Sequence, residues 1–214
     1  MQVAVKAPVE REVPESWWTL KRSVDVILGI VLLIVTTPLV VVAMIAIVCV
    51  TGGQPIFSQE RIGMYGRRFK MYKLRTMVKG AHEMREELMH LNEVDGPVFK
   101  IRNDPRLHPL GSFLRRSSLD ELPNLLNVIV GDMSLVGPRP ALPCEVEHYD
   151  AYALRRLEVP AGITCLWQIN GRSEVNFDEW MRLDNAYVDS WTPLGDFAII
   201  VKTVPAVLRK EGAH

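Results

Sequence analysis

Residues 26–51 carry no charged side chain over 26 consecutive positions, and a helix needs only about 20 apolar residues to cross a bilayer's hydrocarbon core. Lipid has to shelter such a stretch, and the rest of the chain folds around that requirement. It does not read as a cleavable signal peptide, because it is too long and no small-x-small cleavage pattern precedes Gly52 and Gly53. As one straight helix it would be about 39 Å long; broken at Pro38, each half reaches about 20 Å, roughly the midplane. Length alone therefore admits both a tilted, kinked spanning helix and a re-entrant hairpin. The flanks draw both ends to the same side, since Lys21 and Arg22 precede the stretch and a basic band follows it. Pro38 has no amide and frees the carbonyl of Ile34, while Thr36 and Thr37 offer hydroxyls to groups left without partners in lipid. Trp17 and Trp18, beside Lys21 and Arg22, read as an interfacial anchor, with docked surface tryptophans as the alternative.

At 214 residues the chain can hold one domain with a real core plus the membrane element, and two large domains are not expected. Net charge is zero, yet residues 52–80 hold seven Lys or Arg against one acid, Glu60. Such a band suits anionic lipid headgroups, phosphorylated substrates or nucleic acid, and composition does not rank the three. Cys49, Cys144 and Cys165 are far apart, which indicates neither a zinc site nor a disulfide framework and fits a reducing compartment.

Residues 1–20 mix charges and prolines without a period and are expected to be loosely ordered apart from the tryptophan pair. In residues 52–77 apolar and basic positions alternate, predicting an extended segment with Phe69, Met71 and Leu74 buried and Arg68, Lys70, Lys73 and Arg75 outside. Residues 81–92 have the spacing of an amphipathic helix, with Met84, Leu88 and Leu91 on one face. His82 and His90 read as surface residues, since no partner completes a transition-metal site. Residues 98–101 suggest a short strand, 145–158 a helix, 163–169 a strand, and 177–188 and 197–208 amphipathic helices. The last of these is apolar enough to lie on a membrane surface or to pack in a core.

The chemistry concentrates in residues 114–140, LRRSSLDELPNLLNVIVGDMSLVGPRP. Ser118 and Glu121 match the S-x-x-E capping box of a helix N-terminus, a pattern that often does no more than cap. A helix start would keep Asp120 ionised, fit to act as a nucleophile at phosphorus or as a divalent-metal ligand. Glu121 diverges from Asp120 by about 100° on a helix, so the two acids cannot form a facing dyad and their roles should differ. Pro123 conflicts with a Ser118 cap, because it removes an amide the helix needs; a helix starting near Asp120 or Glu121 would place the acids at the cap itself. Pro138 and Pro140 restrict the backbone on both sides of Arg139, and fixed arginines recognise phosphate, with Arg115, Arg116 and Arg172 available to add to it. Carboxylates beside arginines, without soft ligands, point to magnesium-assisted phosphoryl transfer, and a membrane element adds a lipid substrate.

The segments KRSVD at 21–25, GGQPIFSQERIG at 52–63, FKMYKLRTM at 69–77, DPR at 104–106, the 114–140 block and GITCLWQINGR at 162–172 resemble the bacterial sugar transferase family. These are monotopic phosphoglycosyl transferases that begin exopolysaccharide and other glycoconjugate assembly. The resemblance implies a mixed α/β, mostly helical fold. In it, residues 1–20 form a flexible segment, 21–51 a re-entrant membrane helix-break-helix, and 52–214 a cytosolic catalytic domain with amphipathic interfacial helices. It implies transfer of a sugar 1-phosphate, a hexose on a weak hint, from a UDP-sugar to polyprenyl (undecaprenyl) phosphate with release of UMP, through a phosphosugar on Asp120. Magnesium on Asp120 and Glu121, donor binding by Arg115, Arg139 and Arg172, and a basic motif holding Lys73 and Arg75 come from the same resemblance. So do membrane contacts at Lys21, Arg22 and Pro38, placement at the bacterial inner membrane facing the cytoplasm, and association into homo-oligomers. Where a Pro-Gly-Ile-Thr-Gly pattern is common in the family, this chain has Ala161-Gly162-Ile163-Thr164-Cys165, which bears on the rigidity of that loop. The reading from another class is a membrane-anchored, non-catalytic interaction protein whose basic band holds anionic lipid. No nucleic-acid partner is expected, because the band lacks a recognised motif.

Overall fold

In the computed structural model, which describes residues 13–169 and 176–209, the charge-free stretch belongs to a single helix, α1 (Glu15–Thr51), that begins before it and runs through Pro38. The hydroxyls of Thr36 and Thr37 do not serve the carbonyl of Ile34. They donate to Leu32 O and Leu33 O at 2.7 and 2.6 Å, back-bonds one turn down the helix of the kind that bend it. Helix α1 starts at Glu15 rather than near residue 21, because Trp17 and Trp18 are docked: Trp18 stacks on Trp191 with centroids 4.2 Å apart, and Trp17 meets the same ring edge-on.

The charges that open α1 are hooks into the rest of the chain, not headgroup contacts. Lys21 is buried; its Nζ lies 2.5 Å from Asp196 and donates to Val136 O at 2.9 Å. Arg22 donates to Val128 O and Ile129 O at 2.5 and 2.6 Å, and Asp25 accepts the amide of Leu135 at 2.9 Å. A basic side chain on the last carbonyls of another helix answers both their missing partners and the negative end of the dipole.

Strands β1 (Ile56–Ile62) and β2 (Arg68–Leu74) form an antiparallel hairpin in register from Ile56 opposite Leu74 to Ile62 opposite Arg68. Phe69, Met71 and Leu74 are buried as the alternation predicts. The expected helix over 81–92 is only a short helix, α2 (Met84–Glu87), followed by the 3-10 turn Met89–Leu91, and residues 98–101 form no strand. Then come α3 (Gly111–Arg116), the 3-10 turn Leu119–Glu121, α4 (Asn124–Val130) and β3 (Ser134–Val136).

The helix expected over 145–158 is divided into α5 (Pro143–Val146), α6 (Ala151–Leu154) and the 3-10 turn Arg155–Glu158. Asp150 causes the break: its carboxylate accepts the amide of Ala153 at 2.7 Å and starts a new helix. The strand expected over 163–169 is shorter, β4 (Gly162–Thr164), and gives way to α7 (Leu166–Ile169). Strand β4 pairs in parallel with β3. Helices α8 (Phe177–Ser190) and α9 (Pro193–Arg209) close the chain. Asn176 caps α8 through its side chain, and α9 buries Ile199 and Asp196 while leaving Leu194, Phe197, Val201 and Val204 exposed at helical spacing.

The core lies between the β1–β2 hairpin, α4, β3, α8 and α9, with Leu28 and Leu33 of α1 packed on it. Farther along α1, Ile47 is fully buried against Leu74 and Leu114. Both ends of the apolar stretch therefore rest on the same domain, and its middle, Ile34 to Leu39, stands exposed apart from half-buried Thr36.

Candidate active site

The two acids stand in the 3-10 turn Leu119–Glu121, ahead of α4 and not inside a capped helix. Ser118 takes a left-handed backbone (φ 57°) and makes no side-chain cap, so the expected capping box does not form. Pro123 occupies the cap position of α4, where the amide it lacks is not needed. The positive φ at a serine carries strain, and it turns the chain sharply between α3, which carries Arg115, and the acids.

Burial raises the pKa of both acids, and their different partners decide the outcome. Glu121 Oε1 accepts a hydrogen bond from Lys73 Nζ at 2.6 Å. Burial would raise its pKa, but Lys73, Arg139 and Arg61 together hold it below the usual carboxylate range. Asp120 is buried without an ion pair among the described residues. Desolvation pushes its pKa up to about 6, helped by Glu121 and opposed by Lys73 and Arg115. Its acidity is set by burial and by nearby cations rather than by a helix start. At neutral pH it is still mostly ionised, an anion without a committed partner.

The cations come from three segments. Lys73 ends the β1–β2 hairpin beside Glu121. Arg75 follows it, with its carbonyl held 2.7 Å from His108 Nε2. Arg115 is fixed through its Nε, which donates to Thr76 Oγ1 at 3.1 Å. Arg139 stands exposed on the loop after β3. That loop is rigid for a reason beyond its two prolines. A Cβ on Gly137 would come within 2.1 Å of Pro160 O, and one on Gly162 within 2.1 Å of Gly137 N, so the two backbones touch where only glycine fits. Ala161 and Cys165 are both buried at this contact, so the chain's departure there leaves the loop packed.

Three residues that sequence reasoning did not single out complete the surroundings. Arg156 is fully buried, pairs with Asp184 at 2.7 Å, and donates to Arg139 O at 2.9 Å. Arg61 is buried beneath the loop and donates to Pro140 O at 3.0 Å. Burial and the charge of Arg139 lower the pKa of Lys100 to about 8, with Arg102 and Arg115 adding to the effect. A lysine made less basic by surrounding cations is one that an arriving anion would restore. The signal for Arg61 and Arg156 was weak in sequence, since each sits among ordinary strand or helix residues. Arg172 lies outside the described residues.

Among the described residues no group of three His, Cys, Asp or Glu side chains converges as a metal site. The pair that is present fits magnesium differently, as one or two carboxylates that share the ion with substrate phosphates and water. Asp120, buried and without an ion pair, is the group suited to that role.

A family model described as bacterial sugar transferase matches residues 16–210. The chain is similar to the undecaprenyl-phosphate galactose phosphotransferase of Salmonella typhimurium, 40% identical over 199 residues that cover 91% of this chain and 42% of that protein. It is also similar to the exopolysaccharide production protein ExoY of Rhizobium meliloti, 40% identical over 91% of this chain and 88% of that protein. The UDP-glucose:undecaprenyl-phosphate glucose-1-phosphate transferase of Caulobacter vibrioides is 38% identical over 91% of this chain and 72% of that protein. The chain thus spans less than half the length of the Salmonella protein.

Proposed function

We propose that this chain, which belongs to the bacterial sugar transferase family, transfers a sugar 1-phosphate from a UDP-sugar to polyprenyl phosphate at a membrane surface. The observation that carries the reading is Asp120, an ionised carboxylate buried without an ion pair beside Lys73 and Arg115. A carboxylate kept from water and left uncommitted is a nucleophile, and the surrounding cations suit a diphosphate.

In the first step an Asp120 oxygen attacks the phosphorus that carries the sugar. The bond from that phosphorus to the bridging oxygen breaks, and UMP leaves with its electron pair. In the second step a phosphate oxygen of the lipid attacks the same phosphorus, the bond to Asp120 breaks, and the products are the polyprenyl diphosphate sugar and free Asp120. Arg115 and Arg139 hold the donor phosphates, Lys100 adds charge to the same group, and Lys73 keeps Glu121 ionised and oriented next to the nucleophile. Magnesium held by Asp120, Glu121 and the donor would neutralise charge on the diphosphate.

The contacts of α1 support a membrane element that enters and leaves on one face. Gly29 lies against Val128 and Ile129, and Ile47 against Leu74 and Leu114, so one polar domain receives both halves. The exposed apolar side chains of α9 (Leu194, Phe197, Val201, Val204) and of α4 (Leu126, Val130) belong to helices that pack on α1, which supports their lying at the lipid interface. The domain then faces the cytoplasm, where UDP-sugars are made.

The test is UMP release in nanodiscs containing polyprenyl phosphate, run over a panel of UDP-sugars, with mass spectrometry of the peptide holding Asp120 after exposure to donor alone. Release with one donor and a phosphosugar adduct on that peptide is expected. Asp120→Asn protein with near-wild-type turnover would overturn the nucleophile assignment.

A further inference from the structure

Beside the C-terminal end of α1 lies a cavity of about 640 Å³, lined by Gly52, Gly53, Gln54, Arg75 and Lys79 among others. Two features of it are unexplained by folding. The Nε of Arg75 is cut off from solvent and has no hydrogen-bond partner, a costly state for a charged donor. Neither Arg75 nor Lys79 is in an ion pair among the described residues. The last turn of α1 has no basic residue, so its dipole attracts these cations, but a helix end offers only about half a negative charge. More than one positive charge remains unanswered. The lining includes neither of the two acids nor Arg115 or Arg139, so the cavity is an anion seat distinct from the donor cations.

Its place suits a lipid. Val48, one turn before Thr51 at the cavity wall, is exposed, as is Ile45, so an apolar surface leads from the membrane helix to the two cations. Arg75 stands two residues beyond Lys73 on the same side of an extended backbone, about 7 Å along, and Lys73 holds Glu121 beside Asp120. We infer that the cavity seats the phosphate of the lipid acceptor between Arg75 and Lys79, with its chain lying along α1. This rests on the proposed transfer to polyprenyl phosphate, and it separates an acceptor seat from the donor cations Arg115, Arg139 and Lys100.

The experiment is acetic-anhydride footprinting of Lys79 by mass spectrometry, on the full chain in phosphatidylcholine nanodiscs, with polyprenyl phosphate, phosphatidylglycerol or inorganic phosphate added. Polyprenyl phosphate should slow acetylation of Lys79, and Arg75→Ala should raise the concentration needed about tenfold, the effect of one charge-assisted hydrogen bond. Should that variant not fold, Lys79→Gln, at an exposed position, should raise the KM for polyprenyl phosphate more than the KM for the donor. Equal protection by phosphatidylglycerol would make the cavity a general headgroup seat, protection by inorganic phosphate alone a free-phosphate site, and no protection would leave it empty; each overturns the inference. Protection by polyprenyl phosphate in a protein that turns over no UDP-sugar would keep the seat and overturn the transferase reading instead.

Discussion

Lys73 Nζ lies 2.6 Å from Glu121 Oε1, so the ammonium nearest the two acids is committed to Glu121 and acts on Asp120 only through space. The adjacent carboxylates thereby take opposite pKa shifts: burial raises both, the direct hydrogen bond and nearby cations bring Glu121 below its ordinary value, and Lys73 acting through space leaves Asp120 raised. The separation of roles that side-chain geometry alone suggested has an electrostatic cause.

Replacing Lys73 with Met should lower turnover at least about a hundredfold and destabilise the fold by about 1–3 kcal/mol at pH 8, the range for a charged hydrogen bond. Because the folded pKa of Glu121 is depressed, the pair's contribution is present above the unfolded carboxylate value and lost as pH falls through the folded one. Denaturant unfolding of both proteins should show the difference shrinking below about pH 4. A constant gap across pH would place the effect in packing.

Asp120→Asn should abolish turnover by about 10³-fold or more and yet raise the melting temperature at pH 8. The folded pKa of about 6 lies above the unfolded value of 3.8, so the native state binds a proton more readily and loses stability as pH rises through that window. Asparagine does not ionise and escapes the loss. Calorimetry at pH 8 and pH 4 separates this from a capping role, which predicts a drop of about 1 kcal/mol at pH 8.

The kcat/KM for the UDP-sugar should fall as pH drops through about 6, about tenfold per unit once the nucleophile is mostly protonated. The limb belongs to the coupled pair rather than to one residue. Lys73→Met should move it upward, since Lys73 favours the ionised form of both acids. A profile flat down to pH 5 would mean that Asp120 does not titrate in the rate.

Lys21→Met should cost about 3–5 kcal/mol, because it leaves the Asp196 carboxylate buried with only Tyr187 and Trp191 as donors. The double variant Lys21→Met, Asp196→Asn should recover much of that. Lys21 also donates to Val136 O, one residue before the Gly137 contact that fixes Arg139, so the donor KM should rise in the single variant before the fold is lost at assay temperature. Unfolding curves and donor titrations on the same preparations check both.

Where short-range pattern decided the structure, the sequence was readable. The alternation in β2 buried Phe69, Met71 and Leu74, and the amphipathic stretch near the end became α8. Where a single polar side chain restarts the chain, periodicity misled: Asp150 divides one expected helix in two. The S-x-x-E match at Ser118 failed because Ser118 is held in a left-handed turn, a consequence of how α3 meets the acids that no local pattern encodes. The site cations of the 114–140 block were legible as arginines near acids. Arg61 and Arg156 were not, since what makes them matter is the carbonyl each reaches across the fold, Pro140 O and Arg139 O. Lys21 and Arg22 were read as charges that orient a membrane helix, and they are consumed by Asp196 and by the end of α4.

Charges that merely prefer one side leave a spanning helix open, whereas Arg22 bonded to Val128 O and Ile47 buried against Leu74 bind both halves of α1 to one domain. A domain with buried ion pairs such as Lys21–Asp196 is not expected to cross a bilayer, so the re-entrant topology proposed for α1 predicts that the exposed middle around Pro38 turns back within lipid. In cells carrying Cys49→Ser, an impermeant maleimide should label neither Ser16→Cys nor the exposed native Cys144 from outside, and both in inside-out vesicles. Val35→Cys, near the turn, should resist the reagent from both sides. Labelling of Ser16→Cys in intact cells, with Cys144 still protected, would mean that α1 crosses the membrane and that Lys21 leaves Asp196 to do so.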